Sequence, residues 1–292
     1  MIASTIPLII FVIAAIALAS TRRAWGPGTH IQLAQSLLDT MPDRLAPEQV
    51  DLLSRHADCF QYGCIAADII NLKQYGGLAN HCHNWSIQER LAEHVRSETE
   101  EAFVWGYLCH LAADVVAHNH FVPFHLLYDL PPALLGHTYW EARADSRTSE
   151  RTWAIVDALR VDPDLDSNDS LIHRAVPRKA LSMTSNKFIF NHVLLARSKK
   201  SWREIMDRMR RRTPMGTIQE EFHDRCLERC LENMFDVFDR RALLELRGQD
   251  PTGHGALRAA REIRRELIAN HGNRRRAAAS ARVRAEQEFG LG

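Results

Sequence analysis

The stretch Ser97–His120, SETEEAFVWGYLCHLAADVVAHNH, decides the fold. It opens on Ser97-Glu98-Thr99-Glu100, a capping box in which a hydroxyl and a carboxylate three residues apart satisfy the free N–H groups of a first helical turn. Phe103, Leu108, Leu111 and Val115 then recur at helical spacing, which predicts one long helix over Ala102–His120. Within it His110 and Asp114 stand four residues apart, so imidazole and carboxylate point at the same place.

The same pattern extends in both directions. Upstream, Thr29 caps a helix through Ile31, Leu33, Leu37 and Leu38, and a second apolar stripe covers Ala46–Cys59. Ser86-Ile87-Gln88-Glu89 is another capping box. Downstream, Pro123 and the Pro131-Pro132 pair mark a break before a helix through His137, Trp140 and Glu141. Val161–Ser170 reads as an acidic, turn-rich loop, and amphipathic segments resume at about 177–212 and 215–248. No period-2 strand pattern or internal repeat interrupts this, so the expectation is an all-α, multi-helix domain.

The composition agrees. Of 292 residues 46% are apolar and 25% charged, which excludes collagenous, low-complexity and wholly disordered chains. A formal net charge of +1 gives the whole chain no pull toward nucleic acid. Residues 251–292 are the exception, with nine Arg against four Glu, and read as a separate basic tail, a lone solvated helix with a frayed end. At the other end Ile6–Ala19 is an uncharged apolar run of 14 residues, short for a membrane span and suited to a signal-peptide core. Arg22-Arg23 follow the run rather than precede it, the charge order of an uncleaved anchor. The chain is therefore expected to be exported, secreted or periplasmic, or membrane-anchored through residues 2–20. Its organisation is a signal or anchor over 1–24, a helical domain over 25–250 and the tail over 251–292. The six cysteines show no Cys-x2-Cys pair and read as small buried hydrophobes, with one long-range bridge, such as Cys59 or Cys64 to Cys82, open after export.

The abnormal count is histidine, 15 of 292. Six residues beyond Asp114 stands His120, and His137-x3-Glu141 repeats the His-x3-acid spacing on a second helix. Zinc and similar cations take neutral imidazole and carboxylate oxygen, and residues four apart on a helix supply two ligands without backbone strain. One such pair arises often by chance; two, joined by a histidine in a histidine-rich stretch, point to a metal centre.

Taken in order, Trp25-Gly26-Pro27-Gly28-Thr29-His30, Gly63-Cys64-Ile65-Ala66-Ala67-Asp68, His81, His110-x3-Asp114-x5-His120 and His137-x3-Glu141 resemble the zinc-dependent phospholipase C family, whose fold the fungal single-strand zinc nucleases share. The resemblance implies an all-α domain around up to three zinc ions. Asp68, His81, His110 and Asp114 would hold one; Asp114 would bridge to a second completed by His30 and the backbone of Trp25; His120, His137 and Glu141 would hold the third. Asp68 and Asp114 would be the catalytic carboxylates, a hydroxide bridging two ions would attack a phosphodiester, and the substrate would be a phospholipid met at a membrane surface. His83 is a competing imidazole beside His81, the one that aligns with the family histidine. His118 and His125 have no ligand role in the resemblance. Trp105, Trp140 and Trp202 read as core. Tyr62, Phe121 and Phe124 lie near the ligands, with packing the first reading and a lipid or base pocket the second. In the family the tryptophan is the mature N-terminus, whereas Ala17-Leu18-Ala19 here predicts a start at Ser20. Two alternatives follow: a single-strand nuclease, which alone would make nucleic acid a partner, and a membrane-associated binding module with weak catalysis.

Overall fold

The computed structural model describes residues 25–69, 82–128, 130–131, 136–159, 162–175 and 218–291. Every regular element among them is helical, as the periodicity predicts. In chain order these are α1 (Pro27–Thr40), α2 (Pro47–Arg55), α3 (Ala57–Ile69), α4 (Trp85–Glu93), α5 (Glu98–Val116), α6 (Val122–Leu127), α7 (His137–Asp145), α8 (Glu150–Leu159), α9 (Asp166–Ala175), α10 (Glu220–Asp236), α11 (Arg240–Leu246), α12 (His254–His271) and α13 (Arg274–Phe289).

Helix α5 is the axis of the domain. Its first turn is closed by Ser97, whose hydroxyl accepts the Glu100 N–H at 3.3 Å, while Glu100 reaches back to the Arg96 N–H at 2.8 Å. From Ala102 on it is buried on nearly all sides, as a helix apolar around its whole circumference must be. Helix α3 lies against it at van der Waals distance because two glycines face each other. A Cβ on Gly106 would stand 3.0 Å from the Gly63 Cα and 2.9 Å from the Phe60 carbonyl carbon, with the Phe60 oxygen closer still. Phe60 thus lies opposite Gly106, and four residues on in each helix Cys64 lies opposite His110, so the helices advance in the same sense. That contact carries Asp68, near the end of α3, to the face of α5 that holds His110 and Asp114.

The α5 helix does not stop where the sequence suggested. After Val116 the chain makes one wide π-turn over Ala117–Phe121 and continues into α6, Pro123 sitting near the start of α6 where its missing N–H is harmless. Other boundaries also shift. Helix α1 starts at Pro27 with Gly26 as its cap, so Thr29 lies inside the first turn. The Ala46–Cys59 stripe divides into α2 and α3 around His56. Asn84, not Ser86, caps α4, its side chain accepting the Ser86 N–H. Much of the acidic stretch is helical, as a short turn at Pro163–Leu165 followed by α9. The segment expected at 177–212 lies outside the described residues, as does Trp202.

The basic C-terminal stretch is not a lone solvated helix. It forms α12 and α13, which pack on each other and on α6. Leu257, Ala260, Ile263 and Leu267 are buried along α12, and Ala277, Ala281, Ala285 and Phe289 along α13, leaving seven of the nine arginines exposed and Arg264 and Arg284 half-buried. All six cysteines are buried and reduced, which removes the Cys59 or Cys64 bridge to Cys82. Trp140, Tyr62, Phe121 and Phe124 are buried packing residues: Phe124 stacks on Phe222 at 3.8 Å, and the Tyr62 hydroxyl donates to Asp169 at 2.6 Å. Trp105 is partly buried and stacks on Phe238.

Candidate metal centre

Five elements converge on one buried locus: α1 with His30, α3 with Asp68, the turn before α4 with His83, α5 with His110 and Asp114 continuing to His118, and α7 with His137 and Glu141. Their ligand atoms form three groups, each within 4.8 Å: His30 with His110 and Asp114; Asp68 with His83 and His110; His118 with His137 and Glu141. The first two share His110. The third adjoins them through His118, whose Nδ1 lies 3.9 Å from Asp114 and whose ring lies 6.2 Å from that of His83.

Asp114 divides its two oxygens between the first two groups. Oδ1 faces His30 Nε2 at 3.3 Å, while Oδ2 faces His83 Nε2 at 3.0 Å and His110 Nε2 at 3.3 Å. His83 Nε2 also stands 3.4 Å from Asp68 Oδ1, and Glu141 Oε1 lies 2.9 Å from His137 Nε2. The turn bearing His83 is held by the Tyr107 hydroxyl, which donates to the carbonyl of Cys82.

Main-chain carbonyls set the imidazole tautomers. His110 Nδ1 donates to the Cys64 carbonyl at 2.8 Å, and His118 Nδ1 to the Pro251 carbonyl at 2.6 Å. A carbonyl only accepts, so in each ring the proton is on Nδ1 and the Nε2 lone pair is left for the centre. Outer partners of this kind are what metal-ligating histidines carry. Burial pushes the His110 imidazolium down to about 4 and that of His118 to about 3. Burial would raise Asp114, but the pull of His110, with His30 and His83, outweighs it and holds the carboxyl well below its usual range. Near neutral pH His110 and His118 are therefore uncharged imidazoles and Asp114 an ionised carboxylate, the forms that bind zinc.

The donors also fit a cation by what they lack. Both Asp114 oxygens, His30 Nε2 and His118 Nε2 are buried without an aligned hydrogen-bond partner. Buried polar atoms left so cost roughly 1–3 kcal/mol each, and divalent ions held in the separate groups would satisfy all four.

One position differs from the expectation. His118, read as a non-ligand, is the histidine that joins His137 and Glu141, and His120 is not. Four residues past Asp114 is one turn, which keeps His118 on the same face; six residues past is about 240° round, on the far side. His120 accordingly donates from Nδ1 to the Phe289 carbonyl at 3.0 Å, and burial lowers its pKa. His83, the competing imidazole, stands with Asp68 and His110, and His81 lies outside the described residues. His30, Asp68, His110, Asp114, His137 and Glu141 come together as expected. Trp25 is fully buried, its ring 4.3 Å from that of Phe121. His125 has both ring nitrogens engaged, Nδ1 donating to Phe121 and Nε2 accepting from Gln219, which leaves no lone pair for metal.

An all-helical domain whose buried histidines and carboxylates meet in three adjoining groups defines a helical metalloprotein of the multi-zinc kind. Residues 29–212, more than half of the chain, match the family model for zinc-dependent phospholipase C, and the chain belongs to that family. It is a zinc-dependent hydrolase of phosphodiester bonds, and its family implies a lipid substrate. Searches of curated proteins and of solved structures found no match.

Proposed function

We propose that the three groups hold zinc and that this centre hydrolyses the head-group phosphodiester of phospholipids at a membrane surface. The observation that carries the reading is Asp114, buried and ionised, with one oxygen toward each of two groups that share His110. That placement suits it to join two ions, with Asp68 the second carboxylate beside them. Bound zinc supplies Lewis acidity to a phosphodiester and acidifies water near neutral pH. The chain's residues do the rest. His110 and His118, locked by the Cys64 and Pro251 carbonyls, keep their lone pairs aimed without reorganisation when substrate arrives. His137 and Glu141, 2.9 Å apart, together with His118 would hold the third ion.

The Ile6–Ala19 run supports export, or anchorage through residues 2–20, which would bring the centre to lipid. No helix among the described residues is long and apolar enough to cross a membrane.

The test is turnover of short-chain phosphatidylcholine against single-stranded DNA by zinc-loaded protein. Release of phosphocholine with the DNA left intact is expected. Cleavage of the DNA alone would assign the centre to nuclease chemistry, and zinc binding without turnover of either would make it a binding module.

A further inference from the structure

Asp145 ends α7, four residues beyond Glu141 and eight beyond His137, so the three lie near one face of the helix. Its carboxylate is buried, yet it belongs to none of the three donor groups. It closes the N-terminus of α1 instead. Oδ1 accepts the Thr29 backbone N–H at 2.8 Å and the Thr29 hydroxyl at 2.8 Å, and Oδ2 accepts the Gly28 N–H at 3.2 Å. These are the N–H groups that a cap residue's own side chain ordinarily serves. The cap here is Gly26, which has none, and a Cβ there would stand 2.8 Å from Asp145 Oδ1 and closer to Oδ2.

As a cap alone this arrangement is wasteful. Burial pushes the Asp145 carboxyl up to about 6, against the pull of the Thr29 and Gly28 donors, whereas a serine or asparagine at position 26 would cap α1 with no buried charge. What the remote carboxylate adds is a fixed relation between α7 and the first turn of α1, and the next residue of that turn is His30.

We propose that Asp145 is a positioning residue for the zinc centre: by gripping Gly28 and Thr29 it sets His30 against Asp114 and ties the His30 group to the helix carrying His137 and Glu141. The proposal rests on the zinc reading of those groups. It is tested by titrating chelator-stripped protein with inorganic zinc against a competing chelator, with thermal unfolding of the zinc-free forms alongside.

Asp145→Ala is expected to weaken one ion by about 10–100-fold and leave the others unchanged, the effect typical of lost outer partners. Asp145→Asn keeps an oxygen for Thr29 and is expected to fall between Asp145→Ala and wild type. In a His30→Ala background Asp145→Ala should change zinc affinity no further, because the ligand it positions is gone. A merely structural cap would lower the melting temperature of the zinc-free protein in both backgrounds and leave zinc affinity alone; that result overturns the proposal. Should Asp145→Ala fail to fold, Thr29→Val removes one of the three bonds and is expected to weaken the same ion several-fold; unchanged affinity there overturns it equally. Wild-type protein that takes up no zinc would overturn the site reading and this assignment together, whereas normal uptake by wild type matched by Asp145→Ala overturns Asp145 alone.

Discussion

Gly106→Ala tests whether the α3–α5 contact builds the centre. The added methyl would sit 3.0 Å from the Gly63 Cα and 2.9 Å from the Phe60 carbonyl carbon, and nearer to its oxygen. All three obstacles are backbone, so no side chain can swing aside. The helices must part by on the order of 1 Å before those contacts become ordinary. Overpacking of a tight core costs about 1–3 kcal/mol, and two rigid backbones place this substitution at the upper end. The separation falls one turn before the Cys64–His110 bond, which at 2.8 Å would lengthen past hydrogen-bonding range. His110 would lose the partner that fixes its tautomer, and it serves two donor groups at once. The expected outcome is a zinc-free protein destabilised by about 3 kcal/mol and zinc weakened by about 10–100-fold, measured by urea denaturation and competitive zinc titration. A variant with wild-type stability and full zinc affinity would refute the claim that this approach positions His110.

Three further outcomes are expected. His118→Ala should abolish binding of one zinc while His120→Ala keeps the full complement by metal analysis; the reverse would restore His120 as the ligand. Asp114→Asn should remove more zinc than His118→Ala, since Asp114 faces two groups and His118 belongs to one; equal losses would mean that Asp114 does not join two ions. The third concerns acid. His110, His118 and His125 are held neutral by burial, at about 4, 3 and 3 in the folded protein against an ordinary value of 6.5. Depressed values give stability that is present above pH 6.5 and lost as pH falls toward 4, where the unfolded chain takes up protons that the folded one refuses. Each contributes a slope of about 1.4 kcal/mol per pH unit in that window, so chelator-stripped protein should unfold at much lower urea at pH 5 than at pH 7.5. A flat midpoint would contradict the burial of these rings.

The helical class was legible because apolar residues recur at helical spacing through α1, α5 and α10, and because Ser97 and Glu100 announce the start of α5. His110 with Asp114, and His137 with Glu141, were legible from i,i+4 spacing alone. His30 and Asp68 were not, for each is one polar residue near a helix end, and only the family resemblance gave them company. His118 was set aside although its signal was present: it stands one turn after Asp114 inside the stretch read as a single helix, but the resemblance gave the third site to His120. The continuation through a π-turn is invisible in residue types. His83 was hard for another reason, since it lies in an irregular turn whose position depends on the Tyr107 hydroxyl across the domain. The C-terminal helices were misjudged because the face α13 buries is built mainly of alanines four apart, Ala277, Ala281 and Ala285, ending on Phe289. Small residues carry little hydropathy yet allow close packing.

The carbonyl of Pro251 lies beyond the stretch that matches the family model, yet it aims His118. A main-chain oxygen is present whatever residue occupies the position, so substitutions that preserve the local path cannot delete it. Position 251 is thereby free to change while the trace around it stays constrained, most tightly at Gly253, where φ is +56° and a Cβ would stand 2.5 Å from that of His118; deleting this turn would disorient a histidine more than a hundred residues upstream without touching any ligand.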